Sequence, residues 1–127
     1  MKFAFNPSAD LIRLPVRLHG PNGSLILSLV LDTGATSSVI SWENMIELGY
    51  DPAGCEKRVP ITTGSGIEFV PKLTVEKIEA LGQERANFTL LCHTFPPSST
   101  VDGALGLDFL RGLRLIVDFR AGAVSLE

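Results

Sequence analysis

Asp32, Thr33 and Gly34 carry the clearest chemical suggestion in this chain, at the end of the apolar run Leu29-Val30-Leu31. A carboxylate carried beside such a strand is costly to bury unless its charge is hydrogen-bonded or shared. Gly34 lets the backbone approach closely and aim an N–H at the carboxylate. Thr33 adds a hydroxyl that both donates and accepts. A carboxylate held in this way suits general acid–base chemistry. The competing reading is ordinary turn chemistry, because Asp, Thr and Gly all favour turns. By composition alone, an Asp-(Ser or Thr)-Gly tripeptide arises in about 5% of chains this long. The long aliphatic run before Asp32 separates the two readings, since a plain surface turn rarely follows one.

Two further segments are candidates. Residues 101–110, Val-Asp-Gly-Ala-Leu-Gly-Leu-Asp-Phe-Leu, place two glycines among small and apolar residues before a short helix. Taken alone, this is a tightly packed loop-to-helix junction. Asp102 is the nearest rival to Asp32, but it lacks a Ser or Thr before its glycine and follows a loop instead of a strand. Residues 62–66, Thr-Thr-Gly-Ser-Gly, lie between strand-like segments and read as the tip of a hairpin.

Other chemistries find little support. His19 and His93 are the only histidines, and neither has a Ser or Cys motif around it. Cys92 and His93 are adjacent, so a strand would send them to opposite faces. Cys55 and Cys92 show no metal-ligand spacing and are read as free thiols of a reducing compartment. Trp42 and Met45 are read as core. No metal or organic cofactor is expected. A net charge of −3 without a basic run argues against nucleic acid. No stretch approaches about 20 apolar residues, so no membrane span is expected. Residues 1–7 have too short an apolar run for a signal peptide, and the expected location is cytoplasmic.

Several elements would position these residues. Residues 11–18 and 24–31 read as a hairpin across Gly20-Pro21-Asn22-Gly23, with Pro15 suiting the first to a sheet edge. A helix is expected from Ser41 as N-cap to Gly49, with Trp42, Met45 and Ile46 on one face. Strands are expected at 59–62, 67–70, 73–78 and 86–91, a loop at 96–99 and a short helix at 105–110. A last hairpin spans 113–119 and 123–126. At 127 residues, 45% of them hydrophobic, the chain is read as one domain, 1–127, mostly β with one or two short helices.

The pair of motifs, Asp32-Thr33-Gly34-Ala35 and later Ala104-Leu105-Gly106 before a helix, resembles the aspartic protease pattern. The one-lobe length and the Asp108-Phe109-Leu110 helix resemble the single-domain, retropepsin-like group and its bacterial members. The resemblance implies a closed acid-protease β-barrel. Asp32, Thr33 and Gly34 would form the catalytic turn, and Ala104, Leu105 and Gly106 would support it. The hairpin tip Thr63, Gly64, Ser65 and Gly66 would act as a flap and, with Ala35, bind substrate. Only one Asp-Thr-Gly is present, so the resemblance implies a homodimer in which two Asp32 carboxylates hydrolyse a peptide or protein substrate. Two departures stand out. Leu107-Asp108 follows Gly106 where retropepsins commonly carry Arg-Asp or Arg-Asn, and the chain runs well past the helix. The alternatives are a catalytically silent dimeric module of the same fold and a monomeric peptide-binding lobe.

Overall fold

The aliphatic run at 25–31 builds the central strand. A computed structural model describes residues 1–96 and 98–127; Pro97, inside the loop expected at 96–99, lies outside the described residues. Strands β2 (Arg13–Gly20) and β3 (Gly23–Leu31) form the expected hairpin, with Gly20 opposite Gly23. Alternation along β2 buries Leu14, Val16 and Leu18 and exposes the residues between them. Contrary to expectation, β2 is not an edge strand. It also pairs with β6 (Gly66–Ala80), but only from Val16 to His19. Pro15, which has no N–H to donate, sits just outside that second ladder.

Six strands close the barrel in the order β2, β3, β8 (Gly103–Leu105), β4 (Val39–Ser41), β7 (Gln83–His93) and β6, which returns to β2. β3 pairs in parallel with β8, and β4 in parallel with β7. The interior is filled by Leu14, Leu18, Leu29, Ile40, Ile78 and Phe109, among others. β5 (Arg58–Thr63) hangs from the barrel by pairing with the first part of β6.

β6 is one 15-residue strand, where two strands broken near residue 71 were expected. The break is a change of partner. Residues 66–71 pair with β5, and residues 72–80 pair with β7. Pro71 stands at the switch, where its missing N–H is least costly.

Helix α1 (Trp42–Glu47) starts as expected, with the Ser41 hydroxyl accepting from the Asn44 N–H. Met45 is fully buried and Trp42 packs against the core, but Ile46 is 53% exposed. Consecutive helical positions are turned about 100° apart, and this short helix lays only its Met45 side on the barrel. Helix α2 (Leu107–Leu110) is shorter than expected. Leu105 belongs to β8 and pairs with Leu31, so the chain leaves the sheet only at Gly106.

β9 (Leu115–Asp118) and β10 (Ala123–Leu126) form the expected final hairpin. Unforeseen from the sequence, β1 (Lys2–Ala4) adds to β10, so both chain ends share one three-stranded sheet. Among the described residues, no helix is long and apolar enough to cross a membrane.

Candidate active site

Asp32 leaves the barrel at the end of β3. Its N–H donates to the Leu105 carbonyl at 3.0 Å, extending the β3–β8 ladder by one step. The chain then turns: the Ala35 N–H donates to the Asp32 carbonyl, and the Gly34 N–H donates to Asp32 Oδ1 at 2.9 Å. Asp32 is half-buried, while Thr33 and Gly34 are exposed. The carboxylate is therefore oriented by one backbone donor and open on its other side.

The supporting segment lies directly behind this turn. Leu107 donates its N–H to the Ala35 carbonyl at 2.8 Å. A Cβ on Gly106 would come within 2.7 Å of the Ala35 oxygen and 2.9 Å of the Ser37 carbonyl carbon. A larger residue at 106 would push the two segments apart, so glycine here is a matter of close approach. Ala104 pairs with Val30 and Leu105 with Leu31. Sequence reasoning thus named residues that the fold does bring together: Asp32, Gly34 and Ala35 on one side, Ala104, Leu105 and Gly106 on the other.

A clamp that sequence reasoning missed ties the far end of the turn. Ser38 is fully buried and has every polar group engaged. Its N–H donates to Asp108 Oδ2 at 2.8 Å, its hydroxyl donates to Asp108 Oδ1 at 2.7 Å, and its Oγ accepts from the Gly106 N–H at 3.0 Å. Asp108 also accepts from the Phe109 N–H. The two partners stand 70 residues apart in sequence, so no local spacing announces them. An arginine does reach helix α2, although not from position 107. Arg85 of β7 donates to the Phe109 carbonyl from Nε at 3.1 Å and from a terminal nitrogen at 2.7 Å.

Asp102 is held quite differently from Asp32. Its carboxylate accepts from the Ser28 N–H and from the Asn44 side chain, and its own N–H donates to the Ser28 carbonyl. Asp102 therefore pins β3 to α1, with both of its carboxylate oxygens engaged.

The residues expected at a hairpin tip are found there. Thr63 pairs with Gly66 across Gly64 and Ser65, and Gly66 takes φ +124°, a conformation that glycine adopts without strain. The Thr63 hydroxyl donates to the Gly66 carbonyl at 3.1 Å and accepts from the Ser65 N–H. Ile67 and Phe69 on this hairpin are 69% and 66% exposed. Among the described residues no hydrogen bond joins the tip to the Asp32 turn.

The thiols and histidines stay outside this site. Cys55 and Cys92 are both free. Cys92 is buried and its neighbour His93 half-exposed, as strand alternation requires. Burial, with the nearby Cys55 adding in the same direction, pushes the Cys92 thiol up to about 12. Thiolate is the reactive form. At neutral pH, iodoacetamide is therefore expected to modify half-exposed Cys55 in the folded protein and Cys92 only after unfolding in urea. Peptide mass mapping checks this, and rapid native labelling of Cys92 would contradict the burial argument.

Comparison with known proteins accords with this architecture. An aspartyl protease family model matches residues 14–109, which include the Asp32 turn, the β5–β6 hairpin and the segment behind the turn. Among solved structures, the chain is similar to a retropepsin-like aspartic protease from Rickettsia conorii. That match has a TM-score of 0.72 and 17% identity, covering 99% of this chain and 89% of that one. It is also similar to the retroviral protease-like domain of Ddi1 from Leishmania major, with a TM-score of 0.60 and 14% identity, covering 94% and 96%. No curated protein matches the chain. With a match over residues 14–109 and a retropepsin-like barrel, the chain belongs to the aspartyl protease family.

Proposed function

We propose that residues 1–127 form a single protease domain that works as a homodimeric aspartic endopeptidase, with Asp32 of each subunit contributing half of the catalytic site. The observation that carries this reading is the Asp32 carboxylate itself. It is oriented by the Gly34 N–H, left open on its other side, and provided with no second acid from its own turn. Peptide hydrolysis needs a base to activate water and an acid to protonate the carbonyl oxygen. Two facing carboxylates cannot both stay ionised at close range, so the pair holds one proton and serves both roles. The ionised member takes a proton from water as the oxygen attacks the peptide carbon. The protonated member gives its proton to the carbonyl oxygen, and a proton then passes to the leaving nitrogen as the C–N bond breaks.

The remaining site residues take supporting parts. Thr33 is exposed beside Asp32; in the dimer its hydroxyl bonds across the two-fold axis, and Ala35 borders the substrate. The β5–β6 hairpin, with Thr63, Gly64, Ser65 and Gly66 at its tip, closes over the peptide as a flap. Its exposed Ile67 and Phe69 give it apolar surface to cover. Leu107 in place of an arginine is compatible with this reading because Arg85 braces α2 from another strand.

The test is the dependence of activity on assembly. With a peptide library at mildly acidic pH, specific activity should rise with protein concentration and saturate where sedimentation shows the dimer. Cleavage by a species that sediments as a monomer at every concentration would sink the shared site.

A further inference from the structure

We infer that Arg13 is a specificity residue of the proposed active site and that it binds an acidic side chain, glutamate by its length, next to the scissile bond. This rests on the reading of Asp32 as catalytic. Arg13 pairs with Val30, Val30 with Ala104, and Ala104 with Val39. Residues directly opposite one another in neighbouring strands share a face. Their alternates Leu14, Leu29 and Ile40 fill the core, so Arg13, Val30, Ala104 and Val39 lie on the opposite, outward face. The Asp32 N–H continues the β3–β8 ladder to Leu105. Two residues beyond Val30, Asp32 therefore falls on that same outward face.

The spacing fits a side-chain subsite. Val30 is about 7 Å along the strand from Asp32, and Arg13 lies one strand, about 5 Å, across from Val30. Val30 and Ala104 are half-buried and apolar, so they make a floor beside the carboxylate. The Arg13 guanidinium stands at the edge of that floor, where it donates to the Thr100 hydroxyl at 2.7 Å. Thr100 leads into the segment that supports the catalytic turn, which holds the guanidinium in place. A substrate side chain with a short apolar stem and a terminal carboxylate matches floor and edge together.

The charge of Arg13 is uncommitted among the described residues. Arg17 pairs with Glu79, Lys77 with Glu84 and Arg114 with Glu127. Among the described residues, no carboxylate lies within ion-pair distance of Arg13. Thr100 uses one of the five guanidinium N–H donors, leaving an edge free for a carboxylate.

Two readouts test the subsite. Labelled peptides that differ only by Glu or Gln beside the cleavage point are titrated against Asp32→Asn protein by fluorescence anisotropy, and the unlabelled pair is compared by kcat/KM on the wild type. The Glu peptide should be favoured by about tenfold, as for one charge-assisted hydrogen-bonded contact. That ratio should fall to about one in Arg13→Gln and reverse toward a Lys peptide in Arg13→Glu. A ratio unchanged in Arg13→Gln overturns the inference, as does a loss of dimer by sedimentation with the ratio intact, which would assign Arg13 to the partner subunit. Arg13-dependent binding of Glu peptides without any cleavage upholds the subsite and overturns the endopeptidase reading. Cleavage without a Glu preference does the reverse, and neither binding nor cleavage overturns both.

Discussion

Asp32→Asn should leave the barrel and the proposed dimer intact while lowering peptide hydrolysis on the order of 10³-fold or more. Asparagine has nearly the shape of aspartate, and its side-chain oxygen can still accept the Gly34 N–H that now reaches Oδ1 at 2.9 Å. What it lacks is the ability to take or give a proton. Positioned proton transfer typically contributes on the order of 10² to 10⁴ in rate, and a dyad with one inert member loses the base or the acid. The informative experiment mixes subunits. Wild type titrated with excess Asp32→Asn should lose activity as mixed dimers form, because one asparagine disables the pair. Activity falling only in proportion to dilution would mean that each subunit carries a complete site. Full activity of purified Asp32→Asn would remove Asp32 from the chemistry altogether.

The legible part of this molecule was the part written contiguously. Leu25 to Leu31 announces a strand by its run of aliphatic residues, and Asp32-Thr33-Gly34 follows directly, so strand and turn could be read together; the run suggests burial throughout, yet only Leu27 and Leu29 are buried and Ile26 is 63% exposed. Ser41 as a helix cap was similarly local. Strands of three residues, such as Val39–Ser41 and Gly103–Leu105, are too short to display a two-residue period. They exist because neighbours on both sides complete their ladders. The stretch from Leu105 to Leu110 reads as one helix, yet the ladder to β3 claims Leu105 and leaves only four residues to α2. Pro71 looks like a strand end because its cost is local, whereas the exchange of β5 for β7 that makes it tolerable is tertiary. The residues of the turn and its support were readable; what holds the turn rigid was not, because Ser38 and Asp108 meet only in the folded chain.

That clamp leads to the other large expected effect. Asp108→Ala should destabilise the fold by about 3 kcal/mol, a large share of the 5–15 kcal/mol typical of a domain. The alanine removes the acceptor for the Ser38 N–H, the Ser38 hydroxyl and the Phe109 N–H. Ser38 is fully buried, so water cannot easily replace the lost carboxylate, and each orphaned donor costs about 1–3 kcal/mol. Asp108→Asn keeps one acceptor oxygen and should lose about half as much. Urea unfolding measures both, with the midpoint moving and the slope unchanged if only stability is altered. Activity supplies the second readout. Ser38 terminates the Asp32 turn and Gly106 backs it, so if that turn is the proposed catalytic one, loosening their shared contact should lower kcat more than it raises KM, even where the variant remains folded. The order wild type, Asn, Ala should be the same in stability and in kcat. A stable Asp108→Ala protein with unaltered kcat would mean that the Ala35–Leu107 and Asp32–Leu105 backbone bonds suffice to hold the turn without the clamp.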